Sequence, residues 1–106
     1  MINQLQKTKI EEELLFINNK LKGMSYSELK LLDGFPLADE KEIEGKIYEF
    51  SSWSEPAINA EDGVLAVLTD VWKKHVIGSA RYMKGFLLDH SGNVVDLTEC
   101  ELWEYD

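Results

Sequence analysis

The sequence has one cysteine, two prolines and no long apolar run. A single cysteine cannot form an internal disulfide, and it excludes zinc sites that need three or four cysteines. No apolar stretch approaches the roughly 18 residues that a membrane helix needs. Residues 1–6 lack the basic start and apolar block of a signal peptide. We therefore expect a cytoplasmic protein with no membrane partner.

Basic residues are also scarce. The chain has 11 Lys and Arg against 20 Asp and Glu, which gives a net charge of −9 at pH 7. Binding to a nucleic-acid backbone needs local positive charge that replaces counterions. We therefore expect no nucleic-acid partner, whereas a basic protein is compatible with this charge.

The acidic residues are concentrated in the middle third of the chain, where residues 36–72 hold nine acids and two bases. One interpretation is a surface that binds a basic partner, with the candidate residues Glu40, Glu42, Glu44, Glu49 and Glu55. The alternative is a solvated surface that only keeps a small protein in solution. A binding role predicts association that weakens with salt, because salt screens electrostatic steering.

Common catalytic motifs are missing. The sequence contains no G-x-G-x-x-G or Walker loop and no G-x-S-x-G elbow. We therefore assign no catalytic residue, no metal site and no cofactor. A weaker alternative is an RNA-cleaving enzyme that uses His75 as a base with Arg81 and Tyr82. The net charge of −9 would repel such a substrate.

The first third of the chain has a helical pattern. Ile10, Leu14, Ile17 and Leu21 recur at steps of four, three and four residues, which places them on one helical face. Gly23 follows as a helix stop. The stretch Ser25–Glu28 fits a capping box, which predicts a short second helix that ends near Asp33-Gly34. Residues 1–34 thus form a predicted helical hairpin.

The remainder favours strands. The stretch Ile47–Trp53 is rich in β-forming residues, and Val64–Trp72 is a nearly continuous apolar run. For residues 64–75 both a buried strand and a helix fit, and the β-branched residues favour the strand. Arg81–Asp89 reads as another strand, in which Gly85 is a candidate bulge.

A hairpin and a helical turn follow. His90-Ser91-Gly92-Asn93 is a turn signal, and Val94–Leu97 is the expected returning strand. Thr98–Glu101 fits a second capping box, which predicts a short helical turn at Leu102 and Trp103.

The order of elements predicts the α+β class, because helices come first and strands follow. We expect one domain over residues 1–106, with the helical hairpin (1–34) packed on an antiparallel sheet of about four strands (43–97). A short C-terminal helical turn (98–106) completes the predicted architecture.

The aromatic residues suggest a second kind of site. Trp53, Trp72, Tyr82 and Phe86 lie in the sheet half and are candidates for lining a ligand pocket, although core packing also explains them. A homodimer across the apolar strand Val64–Leu68 is a further interpretation.

Two function classes remain beside the weaker RNA-cleaving alternative. The first hypothesis is a small acidic, non-enzymatic binding protein, such as an immunity-type or antitoxin-like protein that blocks a basic partner. The alternative is a small-ligand-binding domain with the aromatic pocket.

Overall fold

The structure is a computed structural model that describes residues 4–58, 60–73 and 82–105. Within these residues two helices, α1 and α2, precede five strands, and a short helix α3 follows them. Single 3-10 turns extend α2 over Leu31–Asp33 and α3 over Trp103–Tyr105. The bounds are α1 Gln4–Lys22, α2 Tyr26–Lys30, β1 Leu37–Ile43, β2 Lys46–Pro56, β3 Leu65–Lys73, β4 Tyr82–Leu88, β5 Val94–Asp96 and α3 Glu99–Leu102.

This order confirms the predicted α+β class. The sheet has five strands in the order β1-β2-β3-β4-β5, and every pairing is antiparallel. β1 is the strand that the sequence pattern does not show, because only Ile43 of its seven residues is buried. No helix in the described part of the chain is long and apolar enough to cross a membrane.

Both predicted capping boxes are present. The Ser25 hydroxyl accepts from the backbone N–H of Glu28 at 3.2 Å, and the Ser25 N–H donates to the Glu28 carboxylate at 3.1 Å. Thr98 and Glu101 exchange the same two bonds at 3.3 and 3.0 Å. These local bonds satisfy N–H groups that have no partner inside a helix, so they set where α2 and α3 begin.

Residues 65–73 form the central strand, which confirms the strand interpretation over the helical one; residues 74 and 75 lie outside the described part. Leu65, Ala66, Val67 and Leu68 are all buried, and β3 pairs with a strand on each side. The apolar stretch therefore forms the core of the sheet and does not offer a surface for a homodimer.

Gly85 pairs in register with Leu68, so it is not a bulge. A Cβ at this position would lie 2.8 Å from Leu68 Cδ2 and 3.3 Å from Leu102 Cδ2. The glycine is therefore explained by the close approach of β3 and of the C-terminal helix.

The strand register divides the sheet into two faces. The inner face is covered by α1 and α2, and its Tyr48, Phe50, Val67, Val71 and Phe86 are buried. The outer face is covered in part by Leu102 and Tyr105, which pack on Ala66 and Leu68. We define the outer face by the residues Ala38, Glu40, Glu42, Ile47, Glu49, Ser51, Trp53, Glu55, Ala66, Leu68, Asp70, Trp72, Met83, Gly85, Leu87 and Val95.

Candidate functional site

Four of the five predicted acidic residues lie on the outer face. Glu40 and Glu42 belong to β1, and Glu49 and Glu55 belong to β2. The register pairs Glu40 with Glu49 directly across the two strands. Asp70 of β3 adds a fifth carboxylate to the same face, opposite Ser51.

Glu44 differs from the other four. It lies in the turn between β1 and β2 with a positive φ of 51°. Its carboxylate is bound by the ammonium group of Lys9 on α1. Glu44 therefore joins the helix to the sheet and is not part of the outer face.

Charge is segregated between the two faces. Among the strand residues that the structure describes, the outer face has no Lys or Arg, whereas Lys41, Lys46 and Lys84 occupy inner-face positions. Lys41 donates to Glu13 of α1 at 2.9 Å. This hydrogen bond and the charge of Glu13 raise the pKa of Lys41. Lys41 thus contacts α1, and all three lysines lie on the face opposite the outer carboxylates.

Two large apolar side chains are exposed among these acids. Trp72 is 47% exposed and Ile47 is 44% exposed. Trp72 lies directly opposite Glu49, and Ile47 lies opposite Glu42. An exposed tryptophan bordered by carboxylates combines the two residue types that a cationic protein partner contacts best.

Indole N–H groups fix two of the outer carboxylates. Trp72 Nε1 donates to Asp70 Oδ2 at 3.1 Å, and Trp53 Nε1 donates to Glu55 Oε2 at 2.9 Å. Each bond joins residues two positions apart on one strand, which lie on the same face. The tryptophans therefore hold these two carboxylates in place.

The predicted aromatic pocket is not formed by its four residues. Trp53 and Trp72 lie on the outer face, whereas Tyr82 and Phe86 lie on the inner face. Phe86 has no exposed surface and packs with Leu21, Leu29 and Val67 in the core. The sheet itself separates the two pairs, so core packing explains Phe86.

The residues of the RNA-cleaving alternative are only partly described. His75 and Arg81 lie outside the described residues, and Tyr82 lies half-buried at the start of β4. The other histidine, His90, stacks on Tyr26 with ring centroids 4.4 Å apart. In the described part of the chain, no group of three or more His, Cys, Asp or Glu residues is placed to hold a metal ion.

The apolar pattern of α1 did not predict that the amide side chain of Asn18 is buried. Asn18 is 3% exposed and lines a groove between α1 and β4. Ile10, Leu14 and Asn18 recur at steps of four, so the spacing itself extends the buried row to Asn18. A search restricted to apolar residues passes over this position.

Comparison with known proteins does not identify a family for this chain. No protein-family model matches the chain, and no curated protein or solved structure is significantly similar to it.

Proposed function

We propose that the protein is a non-enzymatic binding protein whose outer face binds a basic protein. The observation that supports this most is the charge segregation of the sheet. The acids Glu40, Glu42, Glu49 and Glu55 share the face that has no Lys or Arg among its described strand residues. Because the described residues of this face carry only negative charges, the face attracts a cationic surface and increases the rate at which such a partner associates.

The exposed Trp72 supplies the second element of an interface. Tryptophan is enriched among the residues that contribute most to binding energy, and it is depleted on ordinary surfaces. A lysine or arginine of the partner stacked on its ring would gain about 0.5–2 kcal/mol, more as water is excluded. Glu49, directly opposite on β2, is placed to contact the same cation.

Within this function, the specific form we propose is an immunity-type or antitoxin-like protein. Its partner would be a basic toxin, whose cationic surface the carboxylates of the outer face would occupy. The small-ligand alternative has less support, because its four aromatic residues are divided between the two faces.

Affinity capture with matched charge variants tests the proposal. The bait is the full chain, as wild type, as Glu42→Lys/Glu49→Lys, or as the control Asp33→Lys/Glu61→Lys, whose side chains are exposed and lie outside the outer face. Each double variant changes the net charge by the same +4. Lysate of the source cell, with the cognate toxin expressed, is applied at about 0.05 M and about 0.5 M salt, and bound proteins are identified by mass spectrometry.

The expected result is one basic partner that the wild type and the Asp33→Lys/Glu61→Lys control retain at low salt. High salt and the outer-face variant should each release it. A partner retained by the outer-face variant would refute binding through this face, and equal loss from both variants would show that only net charge matters.

A further inference from the structure

A groove follows the first half of β4 on the side away from β3. Its volume is about 720 Å³, which is within the range of ligand-binding clefts. α1 forms one wall and the C-terminal helical turn forms the other. The lining residues that matter most are Leu14, Leu15, Asn18, Met83, Leu102 and Trp103.

The floor of this groove is a strand edge that has no neighbouring strand among the residues that the structure describes. In the described part of the chain, β5 pairs only with Phe86, Leu87 and Leu88 of β4. The last bond on that side is donated by the Leu97 N–H to the Gly85 carbonyl at 3.0 Å. The remaining edge of β4, from Tyr82 to Lys84, borders the groove instead.

The hydrogen-bonding direction of the edge residues follows from the register. In an antiparallel ladder, alternate residues direct both backbone groups to the same neighbour. Gly85 faces the β5 side through its bond with Leu97, and Asp89 does so through its bond with Asn93. Met83 therefore directs its N–H and C=O into the groove, whereas Tyr82 and Lys84 direct theirs to β3.

Asn18 supplies a second and independent feature of the groove. Its side chain is almost fully buried, yet its carbonyl oxygen Oδ1 has no hydrogen-bond partner among the described residues. Leaving a buried polar group unpaired is unfavourable, and such groups are rare in folded proteins. An amide retained in such a position indicates a ligand that offers it a hydrogen bond.

We propose that this groove binds an extended peptide segment of a partner protein by adding a strand to β4. The polar groups that face the groove are amides, namely the backbone of Met83 and the side chain of Asn18. A peptide backbone presents the complementary amides at regular intervals. Strand addition to a sheet edge is an established way to bind peptides, in which backbone bonds provide affinity and pockets read alternate side chains.

The walls indicate which peptides would fit. Leu15 on α1 is 48% exposed and Trp103 on the opposite wall is 57% exposed. Alternate side chains of a bound strand would point to these two walls, so apolar side chains on both faces are favoured. Three bases and four acids line the groove, so its formal charge is only −1, which predicts binding that tolerates salt; these residues are Lys7, Lys22, Lys84, Glu11, Glu12, Asp96 and Glu99.

The other long edge of the sheet is built differently. β1 carries Asp39, Glu40, Lys41 and Glu42 in succession. Charged residues along an edge strand protect it against pairing with other chains. The β4 edge has no such run, and two walls flank it, so it is the edge that suits a peptide.

Peptide selection followed by a matched substitution tests the proposal. A display library of random decapeptides is panned on the full chain at about 0.5 M salt, which weakens electrostatic attraction by the carboxylates of the outer face. One enriched peptide is then titrated against the wild type, Asn18→Leu and the control Asn19→Leu, whose side chain is exposed one position along α1. We expect Asn18→Leu to weaken binding at least tenfold and Asn19→Leu to change it less than twofold. Asn18→Leu should keep the melting temperature at or above that of the wild type, so a failure to fold is distinguishable from lost binding.

Amide hydrogen exchange locates the peptide. Exchange of the Met83 N–H should slow at least tenfold when the selected peptide is added. The Tyr82 and Lys84 amides, already paired with β3, should change little. No enriched peptide, unchanged exchange at Met83, or full binding by Asn18→Leu would each overturn the proposal. Protection of Met83 that rises with protein concentration in the absence of peptide would also overturn it, in favour of a second copy of the chain. None of these outcomes depends on the acidic outer face, so the two proposals fail separately.

Discussion

Replacement of Gly85 by alanine tests the close packing of β3 and of the C-terminal helix against this residue. The new Cβ would lie 2.8 Å from both Leu68 Cδ2 and the Val67 carbonyl oxygen, and 3.3 Å from Leu102 Cδ2. The Val67 oxygen is backbone within the central strand, so it cannot move without shifting β3. Overpacking of this kind costs about 1–3 kcal/mol, whereas alanine recovers about 0.4–1 kcal/mol by restricting the unfolded chain. We expect a net loss of about 1–2 kcal/mol in the free energy of unfolding.

Urea denaturation measures this loss. A decrease of about 1–2 kcal/mol lowers the urea midpoint by about 0.5–1.5 M at a typical m-value, and the melting temperature by about 4–16 °C.

Gly34 provides the matched control. Its φ of −101° suits any residue, and a Cβ there would meet nothing within 4 Å. Gly34→Ala should therefore leave stability unchanged or raise it by up to about 1 kcal/mol. If Gly85→Ala were as stable as Gly34→Ala, the close approach of β3 and the C-terminal helix to Gly85 would be refuted.

Two further predictions concern hydrogen bonds. The buried Ser54 hydroxyl donates a hydrogen bond to the Leu29 carbonyl at 2.7 Å. Ser54→Ala should therefore lower the free energy of unfolding, measured by thermal denaturation, by about 1–3 kcal/mol. A decrease below about 0.5 kcal/mol would contradict this. Hydrogen bonds from the Thr98 backbone and then its side chain lower the pKa of Glu101, so the stability that its carboxylate provides is present at neutral pH and lost as pH falls through the acidic range. Glu101→Ala should therefore lower the melting temperature near pH 7 but not near pH 3, and equal effects at both would argue against the cap.

Local signals in the sequence predicted the local structure well. The capping boxes at Ser25 and Thr98 depend on residues three positions apart, so a short window contains all the information. Because successive side chains of a strand point to opposite faces, a strand over Ile47–Trp53 by itself implies that Glu49 lies opposite Tyr48 and Phe50, as the register shows. The outer acidic face thus follows in part from the period of a strand.

Features that depend on pairing between strands could not be predicted. Trp72 and Tyr82 were expected in one pocket, but the register of β3 with β4 places them on opposite faces. Which residues of two paired strands share a face depends on their register, and the sequence of either strand alone does not contain that register. β1 was missed for a different reason, because a strand exposed on almost every residue has no apolar alternation to detect.

The sequential order of the sheet has a consequence for folding during synthesis. Each strand pairs with the next in the chain, so every hairpin can form soon after its second strand is made. α1 is the exception, since it is made first but packs on β3 and β4. At about 5–20 residues per second, β3 and β4 are complete roughly 4–16 s after Ile10 and Leu14 have been made. For that time the buried row of this amphipathic helix lacks these two strands.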